Sequence, residues 1–209
     1  GTREDERETY RRLIEDVYPD GVVSLVSDTW SLFDVITQIL PSLKETILKR
    51  NGTVVIRPDT SPKTPLEIIC GDPEGETEEE RKGVVELLWD IFGGTVNELG
   101  YKVLDSHIGT LYGEAISVEL SDKICAKLAE KGFVSTSSLY GIGGMSFVYV
   151  TRDTYSWAIK ATYIEIDGKG REIYKDPQTD GSKSKKSKKG LITVYKENGV
   201  LRVKDQCSW

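Results

Sequence analysis

Ligands for a structural metal are the first thing this chain lacks. It holds one histidine, His107, and no CxxC spacing, whereas a structural zinc site draws its closed ligand set from cysteine and histidine; no metal site is expected. Its three cysteines, Cys70, Cys125 and Cys207, are an odd number at unrelated spacings, which points to reduced thiols in a cytoplasmic protein rather than a disulfide framework. No apolar run approaches the roughly 18 residues that span a bilayer, and no signal peptide opens the sequence, so no membrane partner is expected. A basic excess is also missing: the formal net charge is −6, which argues against nucleic acid while leaving room for a local basic site. The one methionine is Met145, and Gly1 leads directly into the charged run TREDERETYRRLIEDVY. The expectation is part of a longer polypeptide.

What is present concentrates between Gly109 and Asp153. IGTLYGEAIS and LYGIGGMSFVYVTRD each carry a strand-like apolar run straight into glycine, where backbone N–H groups can approach an anion without a side chain between. Between them Val118 to Lys131 is amphipathic, with Ile124, Cys125 and Leu128 on one face and Gly132 where a helix ends. Strand, glycine turn, helix, strand, glycine turn implies parallel pairing through a right-handed crossover. Both glycine turns then lie at carboxyl ends of strands, where α/β folds bind ligands.

The flanking chain repeats the theme. Helical spacing over Glu4 to Val17 stops at Pro19-Asp20-Gly21, and Val22 to Val26 reads as a strand whose end, Ser27-Asp28-Thr29, also offers a helix N-cap. Trp30 to Lys49 is helical with Pro41 as a kink or break, and Thr53 to Ile56 is a second strand leading into Arg57-Pro58-Asp59. Leu66 to Cys70 is too short to classify; Arg81 to Leu99 reads as a helix that Gly93-Gly94 can break, Tyr101 to Leu104 as a strand and Phe133 to Leu139 as the strand before the second glycine turn. Beyond Arg152, Trp157 to Asp167 alternates polar with apolar and pairs with Arg171 to Tyr174, while Leu191 to Lys196 pairs with Val200 to Val203. Between these hairpins GSKSKKSKKG (181–190) holds five lysines and no apolar residue. It is open to two readings, a solvated loop or an arm closing over a polyphosphate.

Charged and glycine residues gather at the strand ends: Asp28, then Arg57 and Asp59, then Gly113 and Glu114, then Gly141, Gly143 and Gly144, with Arg152 beyond. On one rim these would offer carboxylates to sugar hydroxyls or a metal, arginines to phosphate charge and bare backbone to a monophosphate. That combination suits a phosphorylated sugar. Singly each is ambiguous, since Arg57 and Asp59 could be an ion pair and Asp28 only a cap.

SLVSDTW, VVIRPD, LYGEAIS, GIGG followed by VTRD, WAIKATY, YKDPQTD and KKSKKG resemble, in this order and spacing, the C-terminal half of the nicotinamide phosphoribosyltransferase family. The resemblance implies an irregular, TIM-like α/β barrel (1–152) followed by antiparallel hairpins of a β-rich domain (153–209). It implies transfer of phosphoribose from phosphoribosyl pyrophosphate to nicotinamide, giving nicotinamide mononucleotide and pyrophosphate in NAD salvage, with Mg²⁺ on the pyrophosphate, ATP as activator and a head-to-tail homodimer. By motif match Arg57 contacts nicotinamide and pyrophosphate, Asp59 the ribose hydroxyls, Gly113 and Glu114 the ribose-phosphate side, Gly143 and Gly144 the 5′-phosphate, and Arg152 phosphate or pyrophosphate. Lys160, Lys175 and Lys185 match lysines of the pyrophosphate region, and Asp28 an acidic residue near the catalytic histidine. That histidine belongs to the family's other half, and His107 does not match it. Glu114 stands where the family has aspartate, Met145 where it has a third glycine and Leu191 where it has arginine. Nicotinate phosphoribosyltransferase, which shares the architecture, and a non-catalytic phosphate-binding fragment are the alternatives.

Overall fold

The computed structural model describes residues 4–58, 63–113, 116–142, 150, 152–177 and 186–204, the side chains of 152 and 153 excepted. Helix α1 (Glu6–Arg12) continues into a π-helical turn, Leu13–Val17, and turns Tyr10 and Ile14 inward. Strand β1 (Val23–Val26) follows. From Leu32 to Leu48 the chain is helical in pieces: α2 (Leu32–Asp34), a π turn (Val35–Ile39), α3 (Leu40–Ser42) and α4 (Lys44–Leu48). Pro41 accounts for the unevenness. It has no N–H for the carbonyl four residues back, and in the turn before it the Leu40 N–H reaches the Val35 carbonyl instead. The break in helical geometry falls at Leu43 (φ −113°, ψ 5°). The N-cap is Ser31, whose Oγ accepts from the Asp34 N–H at 3.3 Å, and not the Ser27-Asp28-Thr29 run, so the Asp28 carboxylate serves elsewhere.

Strand β2 (Val54–Arg57) pairs parallel with β1, Val26 opposite Arg57. The segment too short to classify from sequence is helix α5 (Pro65–Cys70); Thr64 and Glu67 close a capping box and Pro65 sits in the first turn, where its missing N–H costs nothing. Helix α6 (Glu78–Phe92) starts from a Thr77 cap with three glutamates in its first turn. It stops at Phe92 and does not run to Leu99. Gly93 takes φ 70°, and the residues after it fold back as a hairpin, β3 (Gly94–Val96) on β4 (Lys102–Leu104). Asn97 holds that turn, its Oδ1 accepting from the Leu99 and Tyr101 N–H groups at 3.0 and 2.9 Å.

Strand β5 (Ile108–Tyr112), helix α7 (Val118–Glu130) and strand β6 (Ser138–Tyr140) form the expected parallel unit, with Thr110 opposite Ser138 and Tyr112 opposite Tyr140. Ile124 and Leu128 are buried from α7 and Cys125 is half-buried. The strand expected from Phe133 is shorter: Phe133 makes one bridge to Lys102, Val134 donates to the Lys102 carbonyl, and Ser135–Ser137 is a 3₁₀ turn. Two antiparallel hairpins follow, β7 (Tyr163–Ile166) with β8 (Lys169–Glu172) and β9 (Thr193–Glu197) with β10 (Val200–Lys204).

The four parallel strands lie in the order β1-β2-β5-β6. One buried cluster joins Leu25, Val54, Ile56, Ile108 and Tyr112 to Ile36, Leu40, Ile69, Leu88 and Ile124 of the helices. On the opposite face of the sheet Val26 and Leu139 stay exposed. Among the described residues the sheet is open, with β1 and β6 as its edges; the architecture is mixed α/β, a parallel four-stranded sheet with small antiparallel hairpins, and these residues close no barrel.

Candidate functional site

Parallel pairing sets the ends of four strands side by side. Val26 lies opposite Arg57 and Ile56 opposite Thr110, so Asp28, Arg57, Gly113 and Gly141 all fall just at or beyond the carboxyl edge. The Ser27 N–H extends the ladder to the Arg57 carbonyl at 3.0 Å, and the Gly141 N–H to the Tyr112 carbonyl at 2.9 Å. Arg57, last in a strand whose other residues are buried, is exposed.

Glycine at 141 is what allows the last two of these ends to approach closely. A Cβ on Gly141 would stand 3.0 Å from the Gly113 Cα, and a Cβ on Gly113 would stand 3.7 Å from Arg57 Nη2. The guanidinium therefore lies along side-chain-free backbone, an arrangement that lets an oxyanion approach cation and backbone together.

Asp28 occupies the β1 end of this edge and is buried, with its Oδ2 3.4 Å from Lys175 Nζ. The Tyr10 hydroxyl lies 3.1 Å from both the Val26 carbonyl and Ser27 Oγ, and Ser27 Oγ donates to the Leu25 carbonyl at 2.8 Å. Burial pushes the Tyr10 hydroxyl well above its ordinary value, so it stays a protonated donor that fixes how β1 leaves the sheet. One residue past Thr29, Trp30 receives Tyr174 edge-on, with centroids 5.4 Å apart and planes at 84°. Tyr174 and Lys175 thus dock as neighbours beside Asp28. A cleft of about 260 Å³ between α1 and β1, lined by Tyr10, Leu13, Val26, Thr29 and Trp30, lies next to this edge, but the charged groups gather at the edge itself.

Of the residues singled out from sequence, the structure brings together Asp28, Arg57, Gly113, Gly141 and Lys175. Arg152 opens a 3₁₀ turn, Arg152–Tyr155. Lys160 is exposed, and no described hydrogen bond or ion pair joins it to the edge. Asp59, Glu114, Gly143, Gly144 and Lys185 lie outside the described residues, as does most of the lysine-rich segment. Sequence reasoning missed Tyr10, which at helical spacing reads as core, and the Trp30–Tyr174 contact, which no short-range pattern signals.

Among the described residues no group of three or more His, Cys, Asp or Glu side chains could hold a metal ion, and no helix is long and apolar enough to cross a membrane. Residues 19–206 match the model of the nicotinate phosphoribosyltransferase (NAPRTase) family. The chain belongs to this family. Among curated relatives, a nicotinamide phosphoribosyltransferase of Acinetobacter baylyi is 43% identical over 215 aligned residues, covering all of this chain and 42% of that protein. One of Mycoplasma pneumoniae is 33% identical across 92% of this chain and 43% of its own length, and one of Xanthomonas campestris 32% identical across 95% and 39%. The chain therefore spans 42% or so of the length of the curated relatives it matches.

Proposed function

We propose that this chain supplies the phosphoribosyl side of a nicotinamide phosphoribosyltransferase, a pentosyltransferase that makes nicotinamide mononucleotide and pyrophosphate from phosphoribosyl pyrophosphate and nicotinamide. The observation that carries the reading is Arg57 lying beside the bare backbone of Gly113, which in turn packs against Gly141, at one edge of a parallel sheet; the names of the relatives support a phosphoribosyl chemistry for that edge. In the proposed reaction the bond from ribose C1 to the pyrophosphate oxygen breaks and a bond from C1 to the pyridine nitrogen forms. Negative charge builds on the leaving oxygen and positive charge on the ribose ring. Arg57, Arg152, Lys160, Lys175 and Lys185 would stabilise the former, Asp59 and Glu114 would hold the ribose, and Gly143 and Gly144 would donate backbone N–H groups to the 5′-phosphate. Asp28, held by Lys175, would orient the neighbourhood of the reacting groups. Mg²⁺ fits as a counter-ion brought by the pyrophosphate, since the edge carboxylate nearest to hand, Asp28, already faces a lysine.

The same reading makes the four-stranded sheet part of an irregular barrel formed with residues 1–152, assigns 153–209 to a β-rich domain, pairs two subunits head to tail, places the enzyme in the cytoplasm and gives ATP the role of activator. A second reading, nicotinate as the pyridine, is favoured by the description of the family whose model matches. The test is synthesis of mononucleotide by the full-length protein, offered each pyridine at equal concentration with phosphoribosyl pyrophosphate. Preference for the amide is expected; preference for the carboxylate would transfer the assignment to the second reading, and product from neither would sink both.

A further inference from the structure

We propose that Ser187 is a positioning residue for the phosphate side of the site, clipping the two flanks of the lysine-rich segment together so that Lys175 is held at the carboxyl edge. The proposal rests on the reading of Lys175 as a pyrophosphate-side group. The Lys175 N–H donates to Ser187 Oγ at 2.8 Å, and the Ser187 N–H donates back to the Lys175 carbonyl at 2.9 Å. The same flanks converge on one further acceptor, the Thr162 carbonyl, which takes the Ile173 N–H at 2.9 Å and the Gly190 N–H at 2.8 Å. Two ion pairs also cross between them, Lys186 to Asp176 at 3.2 Å and Lys189 to Glu172 at 3.3 Å. Those pairs are largely solvated and contribute little. Ser187 is half-buried and its hydroxyl bonds backbone, so it defines a geometry that the ion pairs do not.

What the clip holds is a lysine whose backbone is fixed from two sides. Tyr174 is seated on Trp30, two residues beyond Asp28, and Ser187 ties down the next peptide unit. Only the four-carbon side chain of Lys175 is then left to order when it meets Asp28 or an oxyanion, which lowers the entropy cost of that contact. In the sequence Ser187 stands between Lys186 and Lys188 and reads as a spacer. Its contacts make it a tie to the Lys175 peptide.

The test uses initial rates of the full-length protein with phosphoribosyl pyrophosphate varied. Ser187→Ala should raise KM for that substrate about fivefold, the effect of one lost hydrogen bond, with kcat kept. Ser187→Thr retains the hydroxyl and should restore the normal KM. In a Lys175→Met background, Ser187→Ala should add nothing, because it acts through the residue already removed. Independent, additive effects of the two substitutions, or a fall in kcat at unchanged KM in Ser187→Ala, would overturn the proposal. An unchanged KM in Lys175→Met alone would overturn the reading of Lys175 and the clip with it, and is distinguishable because the failure then appears before Ser187 is touched.

Discussion

Asp28 shows how one side chain can be claimed by two local rules. A serine-aspartate-threonine run before a helix invites an N-cap, yet Ser31 takes that role and the Asp28 carboxylate turns to Lys175, distant in sequence. Asp59 is the residue of the set on which the proposed chemistry leans most, and Asp59→Ala in the full-length protein should lower kcat by roughly a hundredfold, as for a lost electrostatic stabiliser; near-normal turnover would reassign it to structure. A few residues on, Lys63 lies 2.5 Å from Asp72 and 3.5 Å from Glu80, tying the chain ahead of α5 to the start of α6. The hydrogen bond from Lys63, with help from the Glu74 N–H, holds the Asp72 carboxyl below the usual carboxylate range, and the bond to Asp72 raises the Lys63 ammonium above its own. A depressed carboxylate contributes stability that is complete above its unfolded value and is lost as pH falls through the folded one; a raised lysine contributes below its unfolded value and loses that only as pH rises through the folded one. The tie should therefore be intact at neutrality and disappear below about pH 4. Urea midpoints measured from pH 6 down to 2 should fall less steeply for Asp72→Asn than for the parent, and parallel curves would show that the pair is not coupled to folding.

At the level of elements, α5 and α6 meet through glycine. Gly83 has φ 76° inside α6, and a Cβ there would stand 2.2 Å from the Gly71 nitrogen, while one on Gly71 would stand 2.0 Å from the Arg81 carbonyl oxygen. Both neighbours are backbone and cannot swing aside. Gly83→Ala should cost roughly 3 kcal/mol or more, combining a left-handed backbone with a forced shift; a loss below about 1 kcal/mol in equilibrium unfolding would mean the crossing relaxes freely. This contact also marks the limit of what the sequence discloses. The βα periodicity, the amphipathic α7 and the last hairpin are local patterns found close to where they are expected, whereas the hairpin expected over Trp157–Asp167 and Arg171–Tyr174 is confined to Tyr163–Ile166 and Lys169–Glu172 and turns at Asp167-Gly168. Local patterns also exposed Arg57, Gly113 and Gly141 as strand-end residues, because glycine or charge after an apolar run is legible at short range. The shortened strand after Phe133, tied to Lys102, and the docking of Tyr174 on Trp30 depend on partners remote in the chain, which no window of a dozen residues contains; the capping box at Thr64 and Glu67 and the stop of α6 at Gly93 rest on local signals.

At the scale of the whole molecule, burial is unequal. The helices pack one face of the parallel sheet into a continuous core, whereas every residue of β8, β9 and β10 is exposed, and Ile159 and Leu201 show 94% and 71% of their surface to solvent. Two-stranded ribbons without a covered face have little to oppose their opening. In amide hydrogen exchange followed by mass spectrometry, peptides spanning Val54–Arg57 and Ile108–Tyr112 should keep their protons longest and those spanning Thr193–Lys204 should lose them first, in a single early phase. Equal protection across both regions would mean that the ribbons are covered in solution. A chain built this way wears unevenly: a protease would cut the ribbons first, leaving a core that retains Asp28, Arg57 and the glycine edge but is parted from Lys175 and the clip that holds it.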